Sequence, residues 1–338
     1  MRESLLDRVN YGNQSECLNV SASRGSVCNN FCMFCVDSHR HRFDVFEKDE
    51  RNVIYKIIRE NRGLKKICFG GGGEPTLSPH LINYVQCAHE QGYREIAVVS
   101  NGRQYGDVQY CLDLVWAGVR EFTISIHGHD ALIHDALTCS PGSFEQTLNG
   151  LRNFSRIRQT LPIRINVSHV VNKVNYRFLD KFLGLMGQYF VDIVILNTVQ
   201  PRGDNMARNF SILMPRYKDV ARKIENIFFK RSELMKSKLS PFEWFVSVVD
   251  MPICVSERLR LVVRAGGLHL ICGVRNHEVQ IRDGDQEHAL FAARRNTNVP
   301  LKKKRRQCVR CRYDSVCEGV FRNYVKHFGW GEFCPITN

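Results

Sequence analysis

Short β-branched runs alternate with amphipathic stretches from about residue 17 to 235. Leu18–Ser23, Lys66–Gly70, Glu95–Ser100, Glu121–His127, Ile163–Val171 and Asp192–Val199 read as strands, since apolar residues dominate them and turn formers bound them. Between them, apolar positions recur at helical spacing over roughly 47–61, 79–91, 107–117, 143–158 and 177–188. Ser78-Pro79 and Ser143 are helix-start signals, the latter followed by Glu145 in the first turn. Strand–helix alternation predicts a parallel sheet with right-handed crossovers. Six such units make an α/β fold of the partial (β/α)6 type, an open TIM-like barrel short of the closed eightfold form.

A long helix from Arg216 to about Lys238 closes this region, and beyond it the rhythm stops. The expected division is a barrel over 1–238 and a small C-terminal cysteine-rich metal-binding domain over 239–338. Residues 281–306 read as loop, with Asp283-Gly284-Asp285 and few apolar positions.

Composition narrows the class. Hydrophobic residues make up 43% of the 338 and charged ones 24%, ordinary values for a soluble globular protein. No apolar run approaches the ~20 residues that cross a bilayer. Met1-Arg2-Glu3-Ser4-Leu5-Leu6-Asp7 lacks the layout of a signal peptide, so a cytoplasmic setting is expected. In such a reducing compartment, 14 cysteines point to metal binding rather than to disulfides. Cys17, Cys68, Cys87, Cys111 and Cys139 are scattered and read as small buried hydrophobes. A net charge of +14 favours an anionic peptide or small-molecule substrate, and charge alone also admits nucleic acid. The run Lys302-Lys303-Lys304-Arg305-Arg306 reads as a solvated linker face.

The chemistry is concentrated in Cys28-Asn29-Asn30-Phe31-Cys32-Met33-Phe34-Cys35. Three thiolates spaced C-x3-C-x2-C can hold three irons of a cubane and leave the fourth iron open. The competing reading is a zinc knuckle completed by His39 or His41, since tetrahedral zinc takes four ligands. A second signal follows the second strand: Phe69-Gly70-Gly71-Gly72-Gly73-Glu74-Pro75. Consecutive glycines let a ligand lie against the backbone, and the adjoining carboxylate can receive an ammonium group.

The cysteine triplet and the Gly72-Gly73-Glu74-Pro75 segment about 36 residues downstream resemble the two signatures of the radical S-adenosylmethionine (SAM) superfamily. The resemblance implies a [4Fe–4S] cluster on Cys28, Cys32 and Cys35, with SAM at the open iron and its amino group near Glu74. Polar residues at strand ends converge on one mouth in a parallel sheet. By resemblance, Ser100, Asn101, Ser125, Asn166, Ser168 and Asn197 contact the SAM ribose and carboxylate, and Val199-Gln200-Pro201 passes near the adenine. His127 and Asp130 are candidates for proton transfer or substrate holding. The competing reading of Asp130 is a cap on a short helix.

Cys308-x2-Cys311-x5-Cys317 resembles the core of the SPASM extension of radical SAM peptide maturases. That pattern places another cysteine where this chain has Phe321, so one auxiliary site is expected rather than two. Cys254 with Cys308, Cys311 and Cys317 is the favoured set; Cys334 could replace Cys254. A twitch-type set would use Cys254, Cys272, Cys308 and Cys311. Four thiolates suit an auxiliary [4Fe–4S] cluster or a structural zinc ion equally well.

The resemblance implies an enzyme that cleaves SAM reductively to a 5′-deoxyadenosyl radical and abstracts a hydrogen atom from its substrate. A ribosomally synthesised peptide is the expected substrate, and a small metabolite (a sugar, nucleoside or amino acid derivative) the alternative. The electron would come from a donor such as flavodoxin or ferredoxin. A non-catalytic iron–sulfur carrier or scaffold is a third reading, but a carrier has no use for Gly72-Gly73-Glu74.

Overall fold

The computed structural model describes residues 17–22, 27–36, 48–236, 245–256, 258, 269–271, 277–279, 301–314 and 317–337. Seven strands lie side by side in chain order and all run parallel: β1 Cys17–Val20, β2 Lys66–Phe69, β3 Glu95–Ser100, β4 Glu121–Ser125, β5 Arg164–Val171, β6 Ile193–Thr198 and β7 Phe245–Val249. Two three-residue strands extend the edges, β8 His269–Ile271 on β7 and β9 His277–Val279 on β1. Laid flat, nine strands would span about 38 Å. Ile271 and His277, on opposite edges, are six residues apart and so within about 20 Å. The sheet must therefore curl, and the barrel form expected from the sequence is what results.

Period-two alternation decides which side chains enter the barrel. Ile67, Phe69, Ile96, Val98, Phe122, Ile124, Ile165, Val167, Val194, Leu196, Val246 and Val248 are all at most 1% exposed and form the layer under the helices. Phe122 meets Phe154 at 4.1 Å and His169 meets Phe182 at 3.9 Å, which fixes that face as outward. The other face is polar: Lys66 lies 3.0 Å from Glu121, and Asn166 donates to Glu121 at 3.1 Å. These groups form the barrel floor.

The helices cover the outer face: α1 Lys48–Glu60, α2 Leu81–Glu90, α3 Val108–Ala117, α4 Ala131–Thr138, α5 Ser143–Ile157, α6 Leu179–Gly187, α7 Asp204–Leu213 and α8 Tyr217–Lys236. Helix α7 departs from the expectation. Its buried Met206 and Leu213 give it an inner side, but Pro201 and Gly203 ahead of it look like the loop they open.

The C-terminal segment is less separate than expected, since β7, β8 and β9 extend the barrel sheet itself. Further on, β10 (Lys302–Lys303) pairs antiparallel with β11 (Val320–Phe321), and α9 spans Arg322–Phe328. Tyr324 stacks on Tyr217 at 4.2 Å, accepts its backbone N–H and donates to Glu332. Glu332 in turn pairs with Arg216 at 2.8 Å, so the tail is docked on the start of α8. The basic run needs one correction. Lys302 is buried in an ion pair, because strand pairing turns it inward while Lys304 and Arg306 stay exposed.

Candidate metal and cofactor site

The three-cysteine loop is held at the carboxyl end of the sheet by contacts from four elements. Phe31 and Met33 donate backbone N–H groups to the carbonyls of Thr138 and Leu137 at the end of α4. Asn205 and Asn209, one turn apart on α7, donate side-chain amides to the carbonyls of Cys32 and Met33 at 2.9 and 3.2 Å. Gly203 has φ +81, and a Cβ there would come within 3.1 Å of the Val36 carbonyl. Arg103 reaches the Asn29 carbonyl and Asn30 Oδ1. None of these partners carries a local sequence signal except Gly203.

Burial pushes the Cys28 thiol up to about 11, despite the Asn30 N–H aimed at its sulfur at 3.4 Å; Glu74 and Cys35 add to the rise. Burial and the neighbouring thiols Cys28, Cys35 and Cys139 hold Cys32 well above the ordinary thiol range. Three crowded, dry thiols resist ionisation on their own and ionise readily onto a bound cation. That donor set fits an iron–sulfur cluster. Among the described residues no three His, Cys, Asp or Glu side chains are spaced to grip a single metal ion. His39 and His41 lie outside the described residues.

The glycine segment lies alongside. Gly71, Gly72 and Gly73 have φ of 75, 56 and 104, values that only glycine adopts at little cost. Ser21 donates to the Gly71 carbonyl, and the Glu74 N–H donates to the Val27 carbonyl at 2.7 Å, tying this loop to the cysteine loop. Glu74 is 2% exposed and caps the turn Pro75–Leu77. Its Oε1 accepts from the Thr76 N–H, Thr76 Oγ1 and Ser100 Oγ, while Oε2 accepts only from the Asn101 N–H at 2.7 Å. Burial raises its pKa in spite of these four donors. A carboxylate has about four acceptor sites, so Oε2 retains one. A buried carboxyl group with acceptor capacity to spare and, among the described residues, no ion-pair partner fits an incoming ammonium group.

The remaining strand-end residues fall into two levels. Ser100 and Asn101 belong to the Glu74 network. Asn197 donates to Ser168 Oγ at 2.9 Å, and Ser125 pairs with Ser168 across the strands. Asn166 lies lower, against Glu121, with its Oδ1 buried and unpartnered. Sequence reasoning missed Ser247 on β7, whose register joins it through Ile195 to Ser168. Its Oγ is also buried without a partner. The signal was the lone serine in Val246-Ser247-Val248.

His127 is 5% exposed and its Nδ1 accepts the Val170 N–H; burial drives its pKa well below the usual range. The ring is therefore neutral and its tautomer fixed. Asp130 is the N-cap of α4, accepting the Ile133 N–H at 2.9 Å, and lies 3.2 Å from His129. Both have structural work to do.

In the C-terminal segment, burial pushes the Cys254 thiol up to about 12, and Cys317, Cys311 and Cys308 contribute in that order. Cys311 and Cys317 accept the N–H groups of Ile336 and Gly319 at 3.4 and 3.3 Å. Cys334 donates its backbone N–H to the Cys254 carbonyl, but its side chain is exposed. Cys272 lies outside the described residues. Of the scattered cysteines, Cys87 and Cys111 are buried and Cys17 and Cys68 half-buried. Cys139 corrects the expectation: it ends α4 with φ +50 and is exposed.

Comparison with known proteins accords with this geometry. A model of the radical SAM superfamily matches residues 23–179. The chain is similar to a Saccharolobus islandicus protein named "Probable GTP 3′,8-cyclase", 26% identical over 200 residues, 59% of this chain and 61% of the relative. It thus spans about three fifths of that relative's length. In fold it is similar to native anSMEcpe with bound AdoMet and Cp18Cys peptide, with a TM-score of 0.63, 15% identity and coverage of 90% of this chain and 88% of that one. Streptococcus suis SuiB bound to precursor peptide SuiA gives a TM-score of 0.61 at 12% identity, covering 95% of this chain and 74% of that one.

Proposed function

We propose that the chain is a radical SAM enzyme, as the family match over residues 23–179 supports, and that it modifies a ribosomally synthesised peptide by hydrogen-atom abstraction. A [4Fe–4S] cluster on Cys28, Cys32 and Cys35 with SAM would supply a 5′-deoxyadenosyl radical for that purpose. The protein's own residues do the rest. Glu74 Oε2 accepts the methionyl ammonium, while Ser100, Thr76 and the Asn101 N–H hold the carboxylate in place. Gly72 and Gly73 allow close backbone approach, and Pro75 fixes the turn that follows. Ser125, Ser168 and Asn197 offer hydrogen bonds from the barrel wall to the ribose and carboxylate; Asn166 offers its free Oδ1 from below. The apolar outer layer keeps water out from behind.

Cys254, Cys308, Cys311 and Cys317 form the auxiliary site in this reading, as a second [4Fe–4S] cluster or a structural zinc ion. The influence of Cys317, Cys311 and Cys308 on the Cys254 thiol supports that set. A donor such as flavodoxin or ferredoxin would supply electrons in the cytoplasm.

The observation that carries the peptide reading is the likeness in fold, over 90% of the chain, to anSMEcpe with a bound peptide. The second reading is a nucleotide substrate, favoured by the name of the sequence relatives. Anaerobic incubation of reduced enzyme and SAM, either with peptides encoded beside its gene or with GTP, separates the two. 5′-Deoxyadenosine together with a peptide mass change is expected; turnover of GTP alone would overturn the peptide reading.

A further inference from the structure

The basic run Lys302-Lys303-Lys304-Arg305-Arg306 divides by direction once it is folded. Lys302 is buried against Asp250 and Glu318, and Lys304 pairs with Asp314 at 3.0 Å. Lys303 Nζ and Arg305 Cζ lie 5.8 and 5.7 Å from the centre of the Trp330 ring, and Arg305 also donates to the Phe333 carbonyl. A 3₁₀ turn then spans Arg306–Arg310, with the Cys308 and Cys311 N–H groups donating to the Arg305 and Cys308 carbonyls at 2.9 Å each. At about three residues per turn, Arg305, Cys308 and Cys311 share the inward side, and Arg306 shares an outward side with Val309. Arg310 follows on the same rim. Burial agrees: Cys308 and Cys311 are half-buried, Arg306 and Arg310 are exposed, and Val309 is 74% exposed.

The outcome is an apolar side chain set between two cations. Among the described residues from 301 to 337 the carboxylates are Asp314, Glu318 and Glu332, and these bind Lys304, Lys302 and Arg216. Arg306 and Arg310 have no ion-pair partner among the described residues. Arg312 adds a third exposed cation, resting over its neighbour Tyr313 at 5.4 Å. We propose that this face docks an acidic segment of the peptide substrate, an inference that rests on the peptide reading above. Like charges crowded on one turn repel, and the carboxylates of a partner relieve that repulsion at short range. Val309 calls for an aliphatic side chain between those carboxylates, which a polypeptide offers and a phosphate backbone does not. A nucleic acid strand gains from open aromatic faces, but the Trp330 and Tyr313 rings already carry cations.

The probe is a fluorescein-labelled peptide of repeated Glu-Glu-Leu, titrated by anisotropy with the full chain. A Gln-Gln-Leu peptide and single-stranded RNA of equal length run beside it. The Glu peptide should bind tightest, and more weakly as salt rises. Arg306→Glu with Arg310→Glu should weaken it about tenfold, and Val309→Ser about threefold. Arg62→Glu with Arg94→Glu, the same charge change on exposed residues just ahead of β2 and β3, should alter it by less than about twofold. Equal binding of the Gln peptide, tighter binding of the RNA, or unchanged affinity in the Arg306 and Arg310 variant each overturns the proposal. If that variant melts below the parent, Arg306→Gln with Arg310→Gln, which removes charge and adds none, decides in its place. For a peptide turned over in the assay above, the double variant should raise KM about tenfold at unchanged kcat. An unchanged KM would give the face to another acidic protein and overturn it as a substrate dock, whereas turnover of GTP alone refutes the peptide reading itself.

Discussion

The backbone N–H of Asn101 donates to Oε2 of Glu74 at 2.7 Å, while its side-chain amide lies 4.0 Å from Cys28 Sγ. One residue at the end of β3 thus touches both the carboxylate proposed to receive SAM and a thiol proposed to bind iron. Because Glu74 is held by donors that do not depend on a ligand, its removal should cost binding and not assembly. Glu74→Gln, which keeps the shape and loses the charge, should weaken SAM about 10- to 100-fold, as expected for a hydrogen bond to a charged group. Iron content should be unchanged. Titration calorimetry beside iron analysis checks this, and loss of iron would make Glu74 a structural residue.

The side-chain amides of Asn205 and Asn209 on α7 satisfy the carbonyls of Cys32 and Met33. Changing both to Ala leaves two loop carbonyls without these partners, at a cost of about 1 kcal/mol each. The holoprotein should melt a few degrees lower and release iron to a chelator faster, while SAM affinity barely moves. Unaltered iron release would mean that the contacts from α4 and Arg103 suffice to anchor the loop.

The barrel was legible because β-branched runs and helical periodicity are local signals, and Ile67, Val98, Ile124 and Val194 follow them. Strand β7 was not. Phe245–Val249 is short, follows Pro241 and precedes cysteines, so local pattern assigned it to the next unit; only pairing with Val194–Asn197 makes it part of the sheet. Lys302 was misread for a related reason: a charge run describes an average face, whereas pairing with Phe321 turns that single residue inward. Cysteine and glycine motifs mark ligand sites directly. The residues that hold them, Asn205, Asn209 and Arg103, act over sequence separations at which no pattern exists.

His134 and His169 are buried on either side of His127, and each has an unpartnered Nε2. Burial is the first cause for both, pushing His134 down to about 4 and His169 to about 3. The unfolded chain takes up protons on these rings below about pH 6.5, whereas the folded one does not. Stability is therefore unaffected by them above that pH and is lost as pH falls towards 4. Each contributes a loss of about 2 kcal/mol by pH 5. Denaturant midpoints between pH 8 and 5 should fall, and His134→Asn, which can still accept the His127 N–H, should reduce the slope. An identical slope in that variant would show that His134 is charged in the folded state.

Cys317, Cys311 and Cys308 add to the rise of the Cys254 thiol, and Cys311 and Cys317 accept backbone N–H groups. Fe–S clusters and zinc both satisfy such a set, but they predict different metal counts. In protein with Cys28, Cys32 and Cys35 changed to Ala, reconstituted anaerobically, iron, sulfide and zinc are measured together. About four irons per chain are expected, as for one remaining cubane. Adding Cys308→Ala should remove them, and adding Cys334→Ala should not, since that side chain is exposed. Zinc without iron would make the segment a structural clasp. The C-terminal site would then supply no redox reason for a peptide substrate, and the nucleotide reading would become the stronger one.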